Sequence, residues 1–274
     1  EPGCEPPRAA WPRSRLVVLL GEHAQPESLL ATASEALFPG QAIPAMTDVR
    51  TVHDTDWVRQ TQAQFAPVRI SSELWIVPSW HEPPQEAAHI IRLDPGVAFG
   101  TGSHPTTQLC LQWLEANRRP GQSVLDYGCG SGVLAIAASL LGAGRVVGVD
   151  IDPQAVQAAQ DNAWANVPKR MDASHNGASI RFCLPEALDA SLSFDVVVAN
   201  ILANPLQVLA PALIARLKPG GVLVLSGILT RQAQEVIDAY GSVDPTLRAC
   251  VWREHEGWVC ITAQRSAAVP VSIH

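Results

Sequence analysis

From residue 120 onward, short apolar runs alternate with stretches of helical period. "GQSVLDYG" is a turn and then a buried strand, and "RVVGVDI" (145–151), "SIRFCL" (179–184), "FDVVVANI" (194–201) and "GVLVLSGI" (221–228) are further strands. Between them lie predicted helices at 133–144, 152–166, 205–221 and 230–241. The second has Pro153 in its first turn, and the third closes on Lys-Pro-Gly-Gly. Each strand–helix–strand unit needs a crossover, so the pattern predicts a mostly parallel α/β sheet covered on both faces. The runs 247–257 and 258–265 form an antiparallel pair at one edge, joined by a Glu-Gly turn. Upstream the signal is weaker. "RLVVLL" (15–20) and "DVRTVHD" (48–54) are predicted strands. "PESLLATASEALF" (26–38) repeats Leu29, Leu30, Ala33, Ala36 and Leu37 at helical spacing and stops at Pro39-Gly40. A second helix is predicted over 54–65, a strand pair over 68–80 and a loop over 81–88.

Composition narrows the partners. No apolar run approaches the roughly 18–20 residues of a membrane span. The six cysteines form no CxxC pair, so neither a disulfide framework nor a zinc site is expected, and free thiols in a reducing cytoplasm are. The formal net charge is −7, and no basic cluster exceeds "NRRP" (117–120) or "PKR" (168–170). Duplex nucleic acid is therefore a poor partner, and a basic substrate a better one.

Two glycine-rich segments stand close together, "DPGVAFGTGSHPTT" (94–107) and "DYGCGSG" (126–132). The second follows the first strand of the regular region and opens a helix. Asp150 ends the next strand, where an acid accepts hydrogen bonds from a ribose diol. Dinucleotide folds use G-x-G-x-x-G, but here the glycines stand at 128, 130 and 132 and the sixth position is Val133. That spacing suits a ligand without a pyrophosphate. An acid such as Asp126 suits the cationic end of S-adenosylmethionine. Asn200, where a strand gives way to loop, has an amide able to orient an amine or to cap the loop.

Together "LDPGVAFGTGSHPTTQLCLQWL", "DYGCGSGVLAIAA", "GVDIDPQAV" and "VVANILANPL" resemble the PrmA family, bacterial methyltransferases of a large-subunit ribosomal protein at the base of the ribosomal stalk. The resemblance runs from about Asp56 to Arg265. It implies a class I S-adenosylmethionine-dependent methyltransferase: a doubly wound seven-stranded sheet with an antiparallel edge hairpin. It implies lysine side chains and the N-terminal amine of the ribosomal protein as acceptors. By motif position, it places the cofactor contacts on Thr107, Gly128, Asp150 and Asn200, with Phe99 and Gly130 as neighbours. The implied domains are a small N-terminal α+β recognition domain (1–53), a linker helix (54–66) and the methyltransferase domain (67–274). The family's strand and helix before "RLVVLL" are missing, so the N-terminal domain is expected to be truncated. A cytoplasmic monomer without a metal is expected, reading no nucleic acid directly.

A lysine acceptor must first lose a proton, and the nearby sulfonium lowers its pKa, so no dedicated base is assigned. His104 is either such a base or a loop residue that holds its own backbone. The tryptophans are spread along the chain and read as packing residues and not as a methyl-lysine cage. Alternatives are a methyltransferase of the same fold acting on another protein, a small amine or nucleic acid, and a non-catalytic ribosome-binding remnant. A nicotinamide enzyme is disfavoured by Val133.

Overall fold

A computed structural model describes residues 17–21, 23–37, 39–40, 48–50, 65–94, 102–171 and 178–266. The chain divides into two compact units, Glu1–Trp57 and Val58–His274. In the first, helix α1 spans Pro26–Leu37, as its apolar spacing predicts. The apolar run 15–20 is not a strand where it is described: Val17–Leu20 have no ladder partner among the described residues and stay exposed. Apolar sequence alone does not make a strand; its backbone groups need a neighbour. Asp48–Arg50, the start of the other expected strand, is also irregular. The predicted linker helix lies outside the described residues except for residues 65 and 66, which are not helical.

The second unit holds two sheets. The smaller contains β1 (Val68–Arg69), β2 (Leu74–Val77) and β3 (His89–Arg92). β1 and β2 pair antiparallel, as expected, and β3 adds parallel to β2. Asn166 completes β3 as a strand neighbour would: the Arg92 amide donates to its Oδ1 (2.7 Å), and its Nδ2 donates to the Arg92 carbonyl (2.8 Å).

Helix α2 (Pro105–Ala116) leads into the larger sheet. That sheet is built from β4 (Ser123–Tyr127), β5 (Arg145–Val149), β6 (Ser179–Cys183), β7 (Phe194–Asn200), β8 (Leu217–Leu229), β9 (Arg248–His255) and β10 (Trp258–Gln264). Helices α3 (Val133–Leu140), α4 (Pro153–Asn166), the single turn α5 (Pro168–Met171), α6 (Ala203–Ala215) and α7 (Ala233–Val243) connect them. The strand order is β6-β5-β4-β7-β8-β10-β9, all parallel except β10, which runs against both β8 and β9. The expected seven strands and edge hairpin are therefore present. Alternate residues of each central strand serve opposite faces. Val124, Val146, Val196 and Val198 pack in one core with residues of α2 and α3, while Leu125, Val147, Val197 and Ala199 pack in the other with residues of α6 and α7.

One boundary differs from the sequence expectation. Lys218–Gly221 closes no helix. α6 ends at Ala215, capped by the Arg216 amide bonding back to Leu213 and Ile214, and the four residues lie within β8. Gly220 has φ 77°, and the β7–β8 register shifts between Phe194 and Val196, so the glycines make an irregularity in the strand and not a helix cap.

The sheet runs outward from β4 in both directions, so β4 and β7 flank the topological switch point. Sheets of this kind bind ligands at the carboxyl ends of the strands beside that point. Their amino ends are pinned instead. The Ser123 amide and hydroxyl donate to Asp195 Oδ2 (2.8 and 2.7 Å), as does Lys218 Nζ (2.9 Å).

Candidate active site

The loop after β4 takes three left-handed steps: Gly128, Gly130 and Gly132 have φ of 77°, 52° and 78°. Side chains disfavour that region, and glycine does not. The amides of Gly128 and Cys129 donate to the Val149 carbonyl (2.7 and 3.0 Å), which fastens the loop to the end of β5. The Gly130 amide donates to Asp150 Oδ2 (2.9 Å), and the other Asp150 oxygen accepts from the Asp152 amide (3.0 Å). Asn162 Nδ2 holds the Ser131 carbonyl from α4 (2.9 Å). Gly128, Gly130 and Asp150, three of the residues singled out from the sequence, thus share one edge. Each Asp150 oxygen keeps a lone pair for a further donor.

Asp126 has a second role that sequence reasoning missed. Gly132 precedes α3 and offers no side-chain cap. Asp126 supplies one from β4: its Oδ2 accepts from the Ala135 amide (3.0 Å), in the first turn of α3. Its Oδ1 is buried without a partner. Burial pushes the carboxyl up to about 7 against the pull of that hydrogen bond, and the charge of Asp150 adds to the rise. A fully buried carboxylate with one oxygen unpaired, beneath the glycine loop, is a place for a cation. The glycine that opens the helix marks in the sequence that a cap is lacking, but not which residue supplies it.

Asn200 ends β7, and its Nδ2 donates to Thr107 Oγ1 (3.2 Å). Two predicted site residues far apart in sequence are therefore in contact. Thr107 is buried in the first turn of α2, a helix that begins inside the segment read as a loop. With Nδ2 directed at Thr107, Oδ1 is the acceptor left for another group. Phe99 lies outside the described residues. The segment's flanks are fixed. Asp94 accepts from the Ser79 amide (2.6 Å) and hydroxyl (2.8 Å), and a Cβ on Gly102 would overlap the side chain of Ile76.

His104 is the N-cap of α2. Its Nδ1 accepts from the Thr106 amide (3.3 Å) and contacts the Thr106 hydroxyl (2.7 Å). An accepting Nδ1 places the neutral ring's proton on Nε2, which makes that nitrogen a donor and unsuited to take a proton from an acceptor. The ring stands edge-on to Trp258 with centroids 4.9 Å apart. His104→Ala is therefore expected to cost about 1 kcal/mol in denaturant melts. The pH profile of kcat should keep its shape; loss of a limb near neutral pH would restore the base. Among the described residues no cluster of metal-ligating side chains occurs; Trp113 is buried in the core and Trp164 exposed on α4.

Comparison with known proteins supplies the family. The sequence model of the PrmA family, ribosomal protein L11 methyltransferase, matches residues 2–266. The ribosomal protein L11 methyltransferase of Cupriavidus necator is 54% identical over 267 residues, covering 97% of this chain and 84% of that protein. Its counterpart in Ralstonia nicotianae is 53% identical over 267 residues, with coverage of 97% and 84%. Among solved structures, the ribosomal protein L11 methylase of Lactobacillus delbrueckii subsp. bulgaricus superposes with a TM-score of 0.63 at 33% identity, over 74% of this chain and all of that one. With the glycine loop, Asp150 and the Asn200–Thr107 pair at one end of the sheet and the family's model matched over nearly the whole length, the chain belongs to the PrmA family of ribosomal protein L11 methyltransferases.

Proposed function

We propose that this chain methylates ribosomal protein L11, using S-adenosylmethionine as donor and lysine side chains and the N-terminal amine as acceptors. The observation that carries the proposal is the adjacency at the β4/β7 switch point: a left-handed glycine loop tied to Asp150 on one side, and the Asn200–Thr107 pair on the other. The residues fit the donor. Gly128 and Gly130 add no side-chain bulk beside it, Asp150 has free lone pairs for a ribose diol, and the unpaired Asp126 oxygen suits the ammonium or sulfonium. When bound, the cofactor supplies an activated methyl group.

The chain's own residues orient and exclude. Asn200 Oδ1 accepts from an amine N–H and aims the nitrogen lone pair along the line of displacement. Keeping a lysine neutral at pH 7 costs about 4.6 kcal/mol in water, and a neighbouring cation and partial desolvation reduce that cost. The proton that the ammonium gives up passes to solvent, so no residue need hold it. We assign substrate recognition to residues 1–53, the link to 54–66 and catalysis to 67–274, in a cytoplasmic monomer. No described helix is long and apolar enough to cross a membrane, and this mechanism needs neither nucleic acid nor a second copy.

Asp126 gives cofactor binding a pH dependence. Its carboxyl is raised from 3.8 to about 7, so in the free protein it gains charge only as pH rises through that value. A cationic ligand binds the ionised form. Affinity is therefore expected to fall by up to about tenfold per pH unit below pH 7 and to level off above it, with a proton released on binding. The same shift lowers the free protein's stability as pH rises from 3.8 to about 7, because the unfolded chain gives up that proton first. Calorimetry from pH 5.5 to 8.5 reads the first effect, and Asp126→Asn should flatten the curve. The substrate assignment is tested by offering purified L11, tRNA and free lysine together with labelled donor; label on tRNA or free lysine in preference to L11 would overturn it.

A further inference from the structure

Asn200 is held to the rest of the site by one neutral hydrogen bond, the contact with Thr107 at 3.2 Å. One such bond does not fix the end of a strand, since its net contribution is only about 1 kcal/mol. The β7–β8 ladder stops at the pair Asn200–Ser226, and the next residue on β8, Gly227, turns into the left-handed region with φ 85°. Beyond Asn200 the chain passes through Ile201 and Leu202 into α6, and Leu202 caps that helix with no side-chain bond. Ile201 thus sits at the junction of three elements.

Two glycines make room for that one residue. A Cβ on Gly227 would lie 2.7 Å from the carbonyl carbon of Ile201, 3.2 Å from its nitrogen and closer still to its oxygen. A Cβ on Gly128, in the loop after β4, would overlap Cγ2 of the same isoleucine. Ile201 is half-buried and packs on the core that holds Leu125 and Ala199. Its backbone is therefore pressed on β8 while its branched methyl fills the notch of the cofactor-side loop. Any displacement of Ile201 moves Asn200 relative to Gly128. A close backbone approach of this kind is what an isolated glycine inside a strand marks.

We infer that Ile201 is a positioning residue for methyl transfer: it couples the glycine loop after β4 to the Asn200 amide and so sets the distance between donor and acceptor amine. This inference rests on the role proposed above for Asn200. Ile201 touches neither reactant in this account and acts through its neighbours.

Three variants test it, with the full chain, S-adenosylmethionine and purified L11. Ile201→Ala removes the methyl that fills the Gly128 notch, and Ile201→Val keeps both branch carbons. Ile201→Ala is expected to lower kcat roughly tenfold or more, since small misplacements of reacting groups carry large rate penalties. The cofactor Kd from calorimetry and the KM for L11 should stay within about threefold, and Ile201→Val should recover kcat to within about twofold. A merely structural role predicts otherwise: loss of activity in step with the thermally unfolded fraction, and none at temperatures where the variant is fully folded. That result, or a fully active Ile201→Ala, overturns the inference. Asn200→Ala is measured beside them. If it is active, the role of Asn200 falls and this inference with it; if it is inactive while Ile201→Ala is fully active, only the inference about Ile201 falls. Gly227→Ala, if it folds, should show the same loss in kcat as Ile201→Ala with cofactor affinity retained; a folded Gly227→Ala with undiminished kcat counts against the coupling.

Discussion

Asn200→Ala lowers kcat for L11 methylation by roughly 100-fold or more, while the melting temperature changes little. The magnitude follows from orientation: an acceptor amine free to rotate loses the near-attack geometry, and misplacement by about 1 Å can cost about 100-fold. The fold should survive because Asn200 is only partly buried and its one side-chain bond goes to a neutral hydroxyl. Thr107 would be left with its own hydroxyl to reorient, a small penalty. Asn200→Asp separates charge from geometry. It keeps the acceptor oxygen and brings a negative charge that holds the lysine as ammonium, so it is expected to be slow as well, with partial recovery at high pH. Stopped assays over a range of L11 concentrations divide the loss between kcat and KM. An Asn200→Ala variant with full kcat would remove Asn200 from the mechanism.

Asp150→Ala is the second large effect, and it falls on binding. The carboxylate fastens the glycine loop through the Gly130 amide and braces the start of α4 through the Asp152 amide. In the proposed complex it also takes the ribose hydroxyls. Hydrogen bonds to a charged group are worth about 1.5–3 kcal/mol each, so losing the ribose pair weakens cofactor binding by about two to four orders of magnitude. Loosening of the loop adds to this. Asp150→Asn keeps an acceptor oxygen for only one of the two amides and is expected to bind with an intermediate affinity. Calorimetry gives the dissociation constants directly. Wild-type affinity in Asp150→Ala would mean that the ribose lies elsewhere.

The regular half of this fold is legible in the sequence for a physical reason. Strands covered on both faces must be apolar throughout, so 123–127, 145–149 and 194–200 stand out as short runs bounded by turn residues. Where the chain departs from that logic, the sequence misleads. β3 is four residues long, and part of its hydrogen bonding comes from the side chain of Asn166 far along the chain, so no local pattern marks it. α2 begins within a glycine- and proline-rich stretch because Pro105 is well placed at a first helical turn and His104 caps it. Val17–Leu20 has the composition of a strand without a partner to pair with among the described residues.

The site shows the same division. Gly128, Gly130, Asp150, Thr107 and Asn200 were singled out because motif spacing survives in the sequence, and the structure places them along one sheet edge. The supports behind them were not legible. Asp126 reads as a cation partner, and only the fold shows that it also caps α3. Gly227 reads as an ordinary strand residue, and only the fold shows the Ile201 backbone against it. Contacts that close through space between segments far apart in sequence leave no periodicity to read.

The central claim is that this sheet edge delivers methyl groups to amines of L11. Its most direct test is peptide mass spectrometry of purified L11 after incubation with the chain and S-adenosylmethionine. Mass increments of whole methyl groups are expected on lysine side chains and on the N-terminal amine, accumulating about 100-fold more slowly when Asn200→Ala replaces the wild type. L11 that stays unmodified under conditions where the chain binds the cofactor would contradict it.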